Sequence, residues 1–205
     1  MLLAPRMPGH YLRQRFLDGR GIPAFVGVQQ DATGRARERV LALAGALGIL
    51  RAGAFEVTFA QETELDHFSE HFTYPVVFRA LEVAFQALVD AGYPPELALM
   101  ELHGSEELGQ VLLAAAGEGL FGMIASHASP ACQVGISHYW NRVPGEELSR
   151  LARVVLEEMR SGRFARHLLD EAARSYPELA AWRESRSKGL PEAERNLRSL
   201  LKENR

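Results

Sequence analysis

The rhythm of apolar and polar positions changes near residue 60. Before it, short apolar runs alternate with amphipathic stretches. Leu2–Ala4 is a brief apolar run ending at Pro5. Tyr11, Leu12, Arg15 and Phe16 are spaced by one and four and predict a helix over His10–Asp18, closed by the Gly19-Arg20-Gly21 turn. Pro23–Val28 is β-branched and aromatic enough for a buried strand. In the following loop, Gln29–Gly34, Asp31 or Thr33 can cap the next helix. That helix covers Arg35–Leu47, with Val40, Leu41, Leu43 and Leu47 against polar Arg35, Arg37, Glu38 and Arg39, and Gly48 ends it. Ala54–Phe59 reads as a third strand. The order strand–helix–strand–helix–strand over residues 1–60 predicts the second half of a doubly wound nucleotide-binding sheet.

After residue 60 the periodicity is helical. Glu62–Glu70 starts a helix that Pro75 is expected to interrupt. Val76–Ala91 carries a stripe of Phe78, Leu81, Phe85 and Leu88 and stops at Gly92. Pro94-Pro95 opens the next helix. Gly104-Ser105 predicts a break and a fresh N-cap for Glu106–Ala116. Gly117–Gly135 is rich in small residues and reads as irregular, and His138, Tyr139 and Trp140 as a packed aromatic corner. Pro144–Ser161 and Phe164–Ser175 read as helices, Leu179–Lys188 as a loose charged segment, and Pro191–Leu201 as a terminal helix.

The candidate chemistry lies in Gln61–Glu70, QETELDHFSE. Asp66 and Glu70 are four apart, so on a helix they point the same way one turn apart. Paired carboxylates suit Mg²⁺, which takes oxygen ligands in octahedral geometry. Glu101 and Glu106–Glu107 are a second acidic cluster able to complete a two-metal site. The plainer reading is a solvated acidic helix face built from Glu62, Glu64, Asp66 and Glu70. His67 and His71 add imidazoles for zinc or iron, but their helix positions face away from the carboxylate pair, which favours ordinary core-edge histidines.

Composition narrows the classes. With 205 residues, 47% hydrophobic and 24% charged, the chain has material for one large domain or two small ones. A net charge of −3 gives no nucleic-acid footprint. A single cysteine, Cys132, excludes an intrachain disulfide and points to a reducing, cytoplasmic setting. The most apolar stretch, Val111–Met123, is broken by Glu118 and glycines, so no membrane partner is expected. Two glycine patterns, Gly19–Ala24 and Gly117–Gly122, fit dinucleotide spacing, but neither lies between a strand and a helix start, so neither predicts a pyrophosphate site.

Several separated motifs occur in a meaningful order: LAPRMPG at 3–9, PAFVGVQQDATGRARE at 23–38, and Arg51-Ala52-Gly53 followed by Glu56 and the acidic helix. AGYPPE at 91–96, GLFGM at 119–123 and Gly162–Ala165 follow. Together they resemble the ketol-acid reductoisomerase family. The resemblance implies the C-terminal part of a Rossmann-like NADPH-binding domain over 1–60 and an all-helical, knotted domain over 61–205. It implies Mg²⁺-dependent alkyl migration and NADPH reduction of acetohydroxy acids in branched-chain amino-acid biosynthesis. Two Mg²⁺ per site are implied, and NADPH only where the missing amino-terminal part is supplied, so that the chain alone is expected to be inactive. Asp66 falls on the metal-bridging aspartate and Glu70 on the glutamate one turn on. Glu101 falls on a third ligand, with Glu107, reached through a two-residue insertion, or Ser105 at the fourth. Arg6 stands where the family has a lysine and Ala128 where it has a substrate-binding serine, and the resemblance implies both as substrate-binding positions. The implied assembly is a homodimer whose sites draw on both protomers. The alternatives are a divergent metal-binding homologue acting on another small hydroxy- or keto-acid, and a non-catalytic interaction module.

Overall fold

Alternation of short apolar runs with amphipathic stretches produces a three-stranded sheet flanked by two helices. The computed structural model describes residues 1–186 and 189–203, with side chains as far as Leu201. It divides into two compact units, one ending at Glu70 and one starting at His71.

In the first unit the strands are β1 (Leu2–Pro5), β2 (Ala24–Gly27) and β3 (Ala54–Glu56), in that spatial order. Helix α1 (Gly9–Leu17) joins β1 to β2, and α2 (Ala36–Ala46) joins β2 to β3. The β2–β3 pair is parallel, as a βαβ crossover requires, with Ala24 opposite Ala54. The β1–β2 pair is antiparallel, Leu3 opposite Val26, so β1 is an antiparallel edge strand on a parallel pair. The core is small and tight: Ala24, Ala44 and Ile49 pack with Leu3, Leu12 and Ala54. Gly21 explains part of that tightness. It is buried with φ +72, and a Cβ there would lie 2.4 Å from the carbonyl oxygen of Gly48. Only glycine permits both the left-handed backbone and that approach.

The third strand ends earlier than the sequence suggests, because Thr58 caps helix α3 (Phe59–Phe68). Its hydroxyl accepts from the Gln61 amide at 3.1 Å, while the Gln61 side chain accepts from the Thr58 amide at 2.9 Å. The T-x-x-Q capping box was present in the sequence and outweighs the strand preference of Val57 and Phe59.

The second unit is helical. Pro75 does not interrupt the helix as expected. A π-helical turn, Ser69–Thr73, widens the backbone just before it, and Pro75 falls in the first turn of α4 (Tyr74–Asp90). There a missing N–H costs least. A short α5 (Pro95–Leu99) runs into a second π turn, Met100–Gly104. Ser105 does not cap α6 (Glu107–Glu118). Glu106, with φ 68, makes the break instead.

The small-residue segment after Gly117 is helical, contrary to expectation. Gly119 separates α6 from α7 (Leu120–His127), and α8 (Pro130–Trp140) follows. The overlooked signal is Ser129-Pro130, an N-cap followed by proline at the first helical position. The Ser129 hydroxyl accepts from the Cys132 amide at 3.3 Å. The aromatic corner is not packed inward: His138 meets Tyr139 edge-on at 4.8 Å and Trp140 meets Phe121 at 5.7 Å, but Tyr139 and Trp140 are exposed.

Helices α9 (Gly145–Arg160), α10 (Arg163–Ala173), α11 (Pro177–Ser185) and α12 (Leu190–Glu203) complete the unit. The loose segment at 179–188 is thus mostly helix, its Lys188 lying outside the described residues. The core joins Phe85 of α4, Ala98 and Leu99 of α5, and Ala193 and Leu197 of α12. Gly104 lets α12 approach, since a Cβ there would lie 2.7 Å from Leu197.

Candidate functional site: two acidic helix ends

The best-defined cluster lies within the first unit. The chain leaves β1 at Pro5, and the Arg6 amide donates to the Pro23 carbonyl at 2.9 Å, which fixes where the side chain starts. The guanidinium stacks over Phe25 of β2, 4.9 Å from the ring centre. It then reaches α3, donating through Nη1 to Glu62 Oε1 at 3.2 Å and through Nη2 to Asp66 Oδ1. The side chains of Arg6 and Asp66 are 27% and 38% exposed, so this pair is half-screened rather than buried. Glu62 and Asp66 are one helical turn apart and converge on one cation.

The sequence pairs Asp66 with Glu70 as ligands and leaves Glu62 to the acidic face, although Glu62 and Asp66 have the same four-residue spacing. Glu70 lies beyond α3 in the π turn, its Oε2 3.4 Å from Nδ1 of His67. That turn breaks the α-helical register on which a shared Asp66–Glu70 face depends. His71, in the second unit, stacks against Phe164 at 4.2 Å.

In the second unit, Glu101 is exposed within the π turn Met100–Gly104. Glu107 is exposed at the first position of α6. The π turn and the left-handed Glu106 lie between the two glutamates, which are therefore not on one continuous α-helix. Ser105 occupies the turn between them.

Ala128 is half-buried at the end of α7, and its carbonyl accepts from Gln133 Nε2 at 2.9 Å. The flanking hydroxyls already have structural partners: Ser126 donates to the Gly122 carbonyl at 3.0 Å, and Ser129 caps α8.

The strand-to-helix loop after β2 shows how a helix start is used here. Asp31 accepts from the amides of Thr33, Arg35 and Ala36 at 3.1–3.2 Å and so ties the loop to the first amide of α2, whose N-cap position is Arg35. The Ala36 amide foremost holds its carboxyl below the usual aspartate value, desolvation opposing it, with the Thr33, Arg35 and Gly34 amides adding to the lowering. The first amide of α2, one of those a pyrophosphate would need, is therefore occupied by the chain's own carboxylate.

Comparison with known proteins gives these positions a context. Residues 59–203 match the family described as ketol-acid reductoisomerase, C-terminal domain, and residues 1–53 that described as acetohydroxy acid isomeroreductase, NADPH-binding domain. A ketol-acid reductoisomerase (NAD(P)(+)) from Metallosphaera sedula is 35% identical over 206 aligned residues, covering 100% of this chain and 61% of that protein. The structure of an NADH-preferring ketol-acid reductoisomerase from an uncultured archaeon superimposes with a TM-score of 0.89 at 32% identity, over 97% of this chain and 60% of the other. The chain thus spans about three-fifths of the length of these relatives. A small sheet followed by a helical unit, both matching in order, places the chain in the ketol-acid reductoisomerase family.

Proposed function

We propose that this chain is the part of a ketol-acid reductoisomerase that holds the catalytic Mg²⁺ ions, serving alkyl migration and reduction of an acetohydroxy acid in branched-chain amino-acid biosynthesis. The observation that carries this reading is the match of both domain families along the chain in the right order. Residues 1–60 serve as the end of the nucleotide-binding domain and 61–205 as the metal-binding domain.

Asp66, Glu70, Glu101 and Glu107 are the proposed ligands, all hard oxygen donors of the kind Mg²⁺ selects. Asp66 fits a cation site on its own evidence, because its carboxylate already holds the positive charge of Arg6. Bound Mg²⁺ would supply Lewis-acid polarisation of substrate oxygens. Arg6 and Ala128 stand at positions that the family resemblance assigns to substrate binding.

The described residues offer no phosphate-binding turn for NADPH. Loop 6–8 after β1 has no glycine, and loop 28–35 after β2 satisfies its helix start with Asp31. No hydride step is assigned to this chain. The dinucleotide belongs with a part of the enzyme that supplies a phosphate-binding turn.

A homodimer is part of the proposal. The helical run Phe59–Asp90 is long and apolar enough to cross a membrane by composition alone, and only 6% of its most apolar window is buried. The family match across that run favours cover by a second copy of the chain over lipid. Glu101 and Glu107 of one protomer would then complete the ligand set of its partner.

Calorimetric titration with Mn²⁺ tests the metal assignment. Asp66→Asn is expected to remove most of the binding seen with the unaltered chain. Identical isotherms for the two would overturn it.

A further inference from the structure

Two carboxylates one turn apart on a helix repel each other when nothing lies between them. In α3 that role falls to Arg6, which enters from the end of β1. One nitrogen of its guanidinium serves Glu62 at 3.2 Å and another serves Asp66. The arm is braced behind by Phe25 at 4.9 Å and by its own amide on Pro23. Glu62 is the more enclosed of the two acids, its side chain 16% exposed, and Asp66 the more open at 38%. The cation is thus anchored on the inner acid and extends to the outer one.

From this geometry we propose that Arg6 is a built-in counter-cation of Asp66 which a divalent ion must displace, so that Arg6 sets the metal affinity of the site. The inference rests on the reading that Asp66 takes the metal. A metal-bridging carboxylate needs both oxygens, and here Oδ1 is already engaged. A guanidinium keeps its charge and does not yield by losing a proton, so it leaves only by moving. Its 27% exposure gives it an open side to move into, while Glu62 retains Nη1. A lysine would offer one compact charge and no fork, and would hold the two acids less firmly together.

The competing role for Arg6 is preorganisation, in which it orients Asp66 for the metal. The two roles predict opposite signs. Manganese titration of the full chain, followed by calorimetry and by the electron-spin signal of free Mn²⁺, separates them. Displacement predicts that Arg6→Ala binds Mn²⁺ at least tenfold more tightly, which is about 1.4 kcal/mol. Arg6→Lys should fall between it and the unaltered chain. Arg6→Gln keeps an apolar stem beside Phe25 and carries the same expectation as alanine, should the alanine variant not fold by circular dichroism. The gain should vanish in the Arg6→Ala, Asp66→Asn double variant. Binding that is unchanged or weaker in the folded neutral variants, with Asp66 still required, overturns the counter-cation while leaving the metal assignment standing. Binding that survives Asp66→Asn overturns both.

Discussion

The two units bury their apolar residues very differently. In the sheet unit, Ile22, Ala24, Val26 and Ile49 are fully enclosed by short elements, and Gly21 allows the backbone to close around them. The helical unit is about twice as long, yet its packed core is Phe85, Ala98, Leu99, Ala193 and Leu197 with their immediate neighbours. Meanwhile Phe78, Leu97, Leu113, Phe121, Val134, Trp140 and Leu169 face outward. An amphipathic stripe states only that a helix needs cover. The sheet unit closes a tight core yet also leaves Leu17, Leu43 and Phe55 outward, while in the helical unit whole stripes of long helices stay uncovered.

One pair of substitutions in the helical unit tests this contrast directly. Leu99 is 0% exposed and Phe78 is 62% exposed. Leu99→Ala is expected to cost about 2–5 kcal/mol of folding stability, the range for deleting a buried leucine side chain. Phe78→Arg should instead act on association, weakening a homodimer by tenfold or more while each chain keeps its helix content. Light scattering and denaturant unfolding read the two effects separately. An unaltered chain that is monomeric at micromolar concentration would remove the dimer and the explanation of the exposed stripe with it.

The helical unit also contains a device that the sheet unit lacks, a buried charge that shapes a turn. Glu171 is 5% exposed. One oxygen accepts from the amides of Glu178 and Leu179 at 3.0 and 3.4 Å, and the other from Arg174 Nη2 at 2.9 Å. Between α10 and α11 the chain passes through Ser175 and Tyr176 with φ of 62 and 59, values that cost non-glycine residues energy. The carboxylate caps α11 and holds that turn. Glu171→Gln loses the charge-assisted bonds of a buried carboxylate and should cost about 1–3 kcal/mol. Urea unfolding that places the variant level with the parent would show that the turn holds itself.

Much of this was legible in the sequence because it depends on local chemistry. Gly48, Gly92 and the Pro94-Pro95 opening act through backbone geometry that a neighbour cannot easily override, and they appear where expected. The strand–helix alternation of the first unit and the periodic helices of the second were readable for the same reason. What failed depended on distance along the chain or on register. The antiparallel pairing of β1 is fixed by the partner it meets, not by its own residues. The two π turns are invisible to a 3.6-residue period, and both fall beside proposed ligands, Glu70 and Glu101. Arg6 was singled out as a substrate residue. Its partners Glu62 and Asp66 lie 56 and 60 residues away, and spacing cannot reveal a contact of that kind.

The smallest expected effect returns to the sheet unit, where the helix cap is exposed and electrostatic. Asp31 at the start of α2 is held below its usual value of 3.8, chiefly by the Ala36 amide and then by those of Thr33, Arg35 and Gly34. A carboxylate whose folded value is depressed binds fewer protons in the folded state than in the unfolded state. It therefore adds stability above its unfolded value and loses that contribution as the pH falls through the folded one. Asp31→Asn keeps an acceptor at the cap but removes the charge that favours a helix N-terminus. At neutral pH the parent should be modestly the more stable, and the gap should close as the pH drops below the usual aspartate range. Nearby Glu38, lowered by its bond from Arg35, titrates in both proteins, so the difference curve isolates Asp31. Thermal unfolding of both proteins across acidic pH measures that curve. A gap that stays constant down to strongly acidic pH would mean that the cap acts through its hydrogen bonds alone and that its charge contributes nothing.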